Sequence, residues 1–270
     1  MRRRALLTGA GTAVLVAGCA RAASSATGAA AGASGTAPAG TPGESVTPVT
    51  RAASWRLVGG FMAPGSVEIR PYRLVVYGSG LAVADAFHRG QLTPAERDAL
   101  VAGLVRCLAD GKAGQRRPGA PMVMDVPATE IVVHSGGHTY TASADGVDEL
   151  RAQRAYPSRL YDARDLLDAV YRRIVAGGQR YTSSRVRLVA VPVRGDAGSP
   201  APAAPWPAGV PVPTATGTAG VLVRDLDGTP ASRALAAFPL ASDAVKEWQT
   251  YAVPGGAQLR GAVRYRLPDE

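Results

Sequence analysis

Three histidines, two cysteines and a few glycine-flanked serines and aspartates are the groups of this chain whose types and spacing invite chemistry. His134 and His138 flank Gly136-Gly137, an HxxxH spacing that on a helix would put both imidazoles on one face, as a shared metal requires. The flanking residues read as a hairpin instead. A two-residue Gly-Gly turn sets Ser135 opposite His138 and His134 opposite Thr139. Ile131, Val133, Ser135, His138, Tyr140 and Ala142 then share one face, and Glu130, His134, Thr139 and Thr141 the other. The imidazoles diverge and no metal site is expected, although a three-residue loop would reverse this. Gly78-Ser79-Gly80 lies between two strand-like runs, so Ser79 reads as a turn residue and not as a nucleophile at a strand-to-helix elbow. Asp225-x-Asp227-Gly228 opens like a calcium loop but lacks the downstream ligands and bidentate glutamate. Cys107 shares a helical face with Leu100, Leu104 and Leu108, which makes it a packing residue. No phosphate cradle, cofactor fingerprint or Ser-His-Asp spacing is found in the sequence. Catalytic residues, cofactors and metals are therefore each expected to be none.

The elements that must position these groups follow from pattern and punctuation. Trp55–Val58 reads as a strand broken by Gly59-Gly60, which opens a candidate binding loop of Gly59, Gly60, Phe61 and Pro64. Pro71–Tyr77 and Leu81–Phe87 read as a hairpin. Thr93-Pro94-Ala95-Glu96 is a capping box with proline at the first helical position. The helix it starts buries Leu100, Val101, Leu104, Val105 and Leu108 and stops at Gly111. A basic loop follows from Lys112 to Pro121. Thr129–His134 and His138–Ser143 form the next hairpin. A second helix is expected to be capped by Asp162, to carry Leu166, Leu167, Val170 and Ile174, and to end at Gly177. Arg185–Val193 is a further strand. The predicted fold is α+β: a mainly antiparallel sheet with two helices on one face, as a ββα–ββα pseudo-repeat over 54–193.

Residues 194–218 read as a Pro/Ala-rich linker interrupted by Trp206. The remainder, 219–270, offers a strand at Val221–Val223, an Asp227-Gly228 turn, a helix opened by Thr229-Pro230 and a final strand. That strand alternates Leu259, Val263, Tyr265 and Leu267 with Arg260, Arg264 and Arg266. Some fifty residues make a poor core alone. The extension is therefore expected to pack on the main sheet.

The N-terminus carries a different kind of signal. Met1-Arg2-Arg3-Arg4, the apolar run Ala5–Ala17 and Gly18-Cys19 have the build of a secretory leader over 1–18. The apolar run is too short and too glycine-broken to span a bilayer of about 30 Å. Val16-Ala17-Gly18-Cys19 resembles the lipobox of bacterial lipoproteins, which implies cleavage before Cys19 and acylation of its thiol. An ordinary leader with a chance cysteine is the bland alternative. The arginine run allows either the general or the twin-arginine export route. Residues 19–53 form an Ala/Gly/Ser/Thr/Pro segment whose composition predicts a flexible tether. Thr36, Thr41 and Thr47 beside prolines allow O-linked sugars without requiring them.

Composition limits the partners. The chain has 30 basic and 21 acidic residues; removing the three leader arginines leaves 27 against 21. Only Lys112 and Lys246 are lysines, and the heavy use of Arg, Ala, Gly and Pro suggests a GC-rich genome. An exported chain with 6% aromatic residues has neither the opportunity nor the stacking platforms for nucleic acid. With Cys19 acylated, Cys107 has no disulfide partner. The expected partners are the membrane through the lipid anchor and an envelope protein or anionic cell-wall polymer, at the outer face of the cytoplasmic membrane.

Several motifs occur together in order: Gly59-Gly60-Phe61-Met62-Ala63-Pro64, Pro71 to Tyr77-Gly78-Ser79-Gly80, Asp125-Val126-Pro127-Ala128-Thr129 and Gly137-His138-Thr139. With these the chain resembles a group of actinobacterial secreted lipoproteins of unassigned activity, over roughly 55–193 and loosely at Trp206-Pro207 and Leu267-Pro268. The group's turn is usually Tyr-Gly-Asp-Gly, so Ser79 is a departure that a turn tolerates. Gly59-Gly60-Phe61 near the first strand, with the hairpin–helix–hairpin–helix order, is also similar to emfourin-type inhibitors of thermolysin-like metalloproteases. The first resemblance implies a non-catalytic binding or scaffold module of the cell envelope, the second a protease inhibitor. An envelope enzyme of unrecognised type is the third reading.

Overall fold

The computed structural model describes residues 49–61, 63–193, 203–217, 220–240 and 248–270. Cys19, the leader and most of the tether lie outside the described residues, as do Met62 and Lys246. The described chain is α+β, with two mostly antiparallel sheets and four helices.

In chain order the first part comprises β1 (Arg51–Val58), the short helix α1 (Ser66–Ile69), β2 (Leu74–Tyr77), β3 (Leu81–Ala84) and β4 (His88–Gln91). It continues with α2 (Pro94–Leu108), β5 (Ala128–Ser135), β6 (His138–Asp145), α3 (Ser158–Gly177) and β7 (Gln179–Arg180). These strands make a seven-stranded sheet in the order β6-β5-β1-β2-β3-β4-β7. Ala53, Trp55, Leu74, Val76, Ala82, Ala84, Ile131 and Val133 alternate onto one face of it. There they meet Leu100, Leu104 and Leu108 of α2 and Leu160, Ala163, Leu167 and Ile174 of α3 in one apolar core. Burying each such aliphatic side chain stabilises the fold by about 1.5–3 kcal/mol, which is why both helices lie on this face.

The start of α2 is set as its capping box dictates. Thr93 Oγ1 accepts from the Glu96 amide at 3.2 Å, and Glu96 accepts from the Thr93 amide at 2.8 Å. The expected cap of α3 at Asp162 is corrected. Pro157 is its N-cap, and the helix begins at Ser158 because Leu160, Tyr161 and Ala163 are buried and extend the apolar stripe backwards. Leu166, expected in the core, is 37% exposed.

A simple ββα–ββα repeat is not what the hydrogen bonds draw. The strand expected to run on to Phe87 ends at Ala84, and Asp85 and Ala86 turn the chain with φ of +50° and +55°. β4 then returns antiparallel to β3, so four strands, β1 to β4, precede α2 while only β5 and β6 lie between α2 and α3. The Tyr171 hydroxyl donates to Asp85 at 2.7 Å, and Arg73 lies 3.4 Å from the same carboxylate, which holds this non-glycine turn in place.

The single expected sheet is two sheets. β8 (Val186–Pro192) leaves the first and joins β9 (Ala204–Pro205), β10 (Ala215–Thr216), β11 (Leu222–Leu226), β12 (Gln249–Ala252) and β13 (Gln258–Tyr265), with α4 (Gly228–Ala237) between β11 and β12 in the chain. The order is β10-β11-β8-β13-β12-β9. Residues 203–217, read from the sequence as linker, are a strap instead. β9 pairs with β12 at one edge and β10 with β11 at the other. Between them Trp206 and Val210 pack with Phe238 and Tyr251 beside α4. The extension thus completes, with β8, a second core on both faces of β8 and β13, with Ile69 of α1, Val189, Ala262 and Trp248 on the second face.

The two sheets share contacts at the final residues. Leu267 is buried against Val75, Tyr77, Val83 and Tyr181, on the face of the first sheet opposite α2 and α3. Asp269 pairs with Arg51 and accepts from the Tyr77 hydroxyl at 2.8 Å. Glu270 takes both guanidinium arms of Arg264, at 2.6 and 2.8 Å. Arg264, on the face of the last strand opposite Leu259, Val263 and Tyr265, is 2% exposed because β13 is an interior strand with both faces covered.

Candidate functional site

The candidate loop begins where β1 runs out. Gly59 and Gly60 take φ of +67° and +71°, a conformation that side chains resist. A Cβ on Gly60 would lie 2.5 Å from the Pro127 nitrogen. The Phe61 amide then donates to the Asp125 carbonyl at 3.0 Å, so the loop is fastened to the segment that leads into β5. With its backbone held inwards, Phe61 projects outwards and is 92% exposed. Pro64 is exposed further along the same loop.

The neighbouring segment alternates as an extended chain does. Val123 packs on the helix-side core, while Met122 and Met124 on either side of it point out, 72% and 73% exposed. Asp125, with φ of +60°, redirects the backbone, and Pro127 accepts from the Gly146 amide at 3.2 Å. Together the two loops border an open depression of about 420 Å³ whose lining includes Gly60, Arg116, Met122, Met124, Asp125 and Asp145. Arg116 lies 3.8 Å from Asp145 and its guanidinium carbon 5.9 Å from the centre of the Tyr156 ring, so the polar rim holds both charge signs. Sequence reasoning singled out the Phe61 loop but not Met122 or Met124. Their one-residue spacing in a segment between Pro121 and Pro127 was the available signal.

The other groups picked from the sequence are dispersed. β5 and β6 pair His134 with Thr139 and Ser135 with His138. His134 Nδ1 lies 2.9 Å from Thr139 Oγ1 on one side of the hairpin, and the His138 ring tilts towards Tyr140 on the other, with centroids 6.3 Å apart. His88 stands in β4 with its ring edge-on to Phe87. Among the described residues no group of three or more His, Cys, Asp or Glu is placed to hold a metal ion. Cys107 is half-buried against the helix-side core, and burial pushes its thiol up. Ser79 lies in the β2–β3 turn, its carbonyl accepting from Gln91 Nε2 at 2.7 Å. Asp225 receives a two-armed contact from Arg187, at 2.7 and 3.0 Å. Burial alone would raise its pKa, but hydrogen bonds and charge from Arg187, with Arg266 behind, hold it below the ordinary value.

The arrangement can therefore offer apolar contact at two protruding loop tips, with a mixed-charge rim. No family model matches the chain, and neither a curated protein nor a solved structure matches it. Among the described residues no helix is long and apolar enough to cross a membrane.

Proposed function

We propose that this chain is a lipid-anchored protein of the cell envelope that acts by binding and not by catalysis, with Phe61, Met122 and Met124 as its contact face. The observation that carries this reading is that the exposed Met122 and Met124 line one depression together with Gly60, and that the exposed Phe61 follows Gly60 with its amide tied to the Asp125 carbonyl beside them. Large apolar groups gathered in one exposed place mark an interaction surface more often than isolated ones do. The lipobox-like Val16-Ala17-Gly18-Cys19 supplies the anchor, and the outer face of the cytoplasmic membrane is the location that follows. Likeness to secreted actinobacterial lipoproteins agrees with this reading.

Fractionation and cross-linking in living cells test it together. Parent protein should partition with membranes and yield a reproducible set of cross-linked neighbours. Cys19→Ala should move it to the soluble fraction, and Phe61→Ala should thin the neighbour set while leaving the protein on the membrane. Identical cross-links from parent and Phe61→Ala protein would count against the contact face. The exposed Phe61 tip also suits the inhibitor reading. That reading requires slowing of a thermolysin-like protease at near-stoichiometric ratio, lost in Phe61→Ala.

A further inference from the structure

We propose that the occupant of the Phe61–Met122–Met124 face is the lipid surface itself, so that the folded unit seats on the membrane that holds its anchor. The proposal rests on the preceding reading of Cys19 as the anchored residue. It begins from where the face lies along β1. The described chain starts at Val49, next to the Arg51 end of β1, and Phe61 follows the Val58 end. Eight strand residues at about 3.3 Å each put roughly 26 Å between the tether's attachment and the apolar face.

From Cys19 to Val49 the chain has about thirty residues, mostly Ala, Gly, Ser, Thr and Pro. A flexible chain of that length has a root-mean-square span of about 30 Å. Effective concentration is highest when the span of a linker matches the separation it must bridge. The tether is thus of the length that lets the far end of β1 turn back onto the lipid.

Chemistry at the face suits shallow insertion. Phe61, Met122 and Met124 stand on loop tips whose own backbone is tied by the Phe61-to-Asp125 hydrogen bond. Their transfer from water is favourable by only a few kcal/mol together, which is marginal for a free protein and sufficient for one already tethered. The rim carries Arg116, Asp145 and the exposed Asp125, so anionic headgroups gain little. Insertion should accordingly be driven by apolar contact and be insensitive to salt and to anionic lipid.

The test uses the full-length chain purified with its own lipid and reconstituted in phosphatidylcholine vesicles, with and without phosphatidylglycerol. Phe61→Trp and, separately, Met124→Trp place an indole at the face; the native Trp55 and Trp248 are buried, and Trp206 is half-buried against Phe238 and Tyr251. Lipids brominated along the acyl chain should quench the introduced indole and shift its emission to the blue, equally in both vesicle types, while the parent protein is unaffected. An unquenched indole in both variants, with mass spectrometry showing acylated Cys19, overturns lipid insertion and leaves the face for a protein partner. A Cys19 without acyl groups overturns the anchor reading and this proposal with it.

Discussion

Phe61 carries almost no burden in folding and shares the proposed contact with Met122 and Met124, so its substitution separates folding from contact. Phe61→Ala should leave the melting temperature unchanged, because the ring is 92% exposed, while weakening capture of neighbours in cells. A large fall in melting temperature would instead make the ring part of the core. Gly60 behaves in the opposite way. Gly60→Ala puts a Cβ into the Pro127 backbone at a positive φ and should cost about 2 kcal/mol or more, read as a lower melting temperature. The Arg264–Glu270 pair is a third kind of residue. Glu270→Ala leaves a guanidinium that is 2% exposed without its carboxylate, which should destabilise by about 3–5 kcal/mol in urea unfolding. Replacing both partners by apolar residues should cost much less. Burial alone would raise the Glu270 pKa, but Arg264 and the Leu267 amide hold it below its ordinary 4.5. A carboxyl depressed in the folded state stabilises above its unfolded value and loses that contribution as pH falls through its folded value. Stability should therefore begin to fall near pH 4.5 and continue below it in the parent, and Glu270→Gln should flatten part of that slope.

At the scale of elements, the signals that could be read were local ones. Thr93, Pro94 and Glu96 announce α2 because capping is a matter of three adjacent residues. The Glu96 carboxyl is held down to about 2, first by the Thr93 amide and then by Arg173, so the support it gives this end should be lost only as pH falls below the ordinary carboxylate range and through about 2. Thr93→Ala should cost about 1 kcal/mol. Amide exchange in the first turn of α2 would show both effects. The Gly136-Gly137 turn was equally readable, since a two-residue loop fixes the register that pairs Ser135 with His138. β4 was not readable, because Ala86 is a poor turn former and Asp85 holds the turn through Arg73 and Tyr171, which lie elsewhere in the chain. The strap over 203–217 was hidden by composition. Its prolines read as linker, while its place depends on Trp206 finding Phe238 and Tyr251. The proposed contact face was half legible: Gly59-Gly60-Phe61 stands out in the text, but only the backbone tie to Asp125 brings Met122 and Met124 beside it.

For the molecule as a whole, the two sheets are joined by residues from the end of the sequence given, with Leu267 against the first sheet and Glu270 within the second. α1, which follows the loop after β1, adds a second tie through Ile69 against Val189 and Ala262, while Phe61 before it stays exposed. The proposed anchor acts at the same scale: Cys19→Ala should release a folded, equally stable protein from the membrane, since nothing in the described core depends on Cys19. The most direct measurement is site-resolved photo-cross-linking in living cells, with a photoreactive side chain in place of Phe61 and, as the control, in place of Ser79. Both positions are exposed and they lie at opposite ends of the first sheet's strands. A contact face at Phe61 predicts abundant adducts from that position, few from Ser79, and loss of the Phe61 adducts in Cys19→Ala. Equal, scattered adducts from the two positions would contradict it.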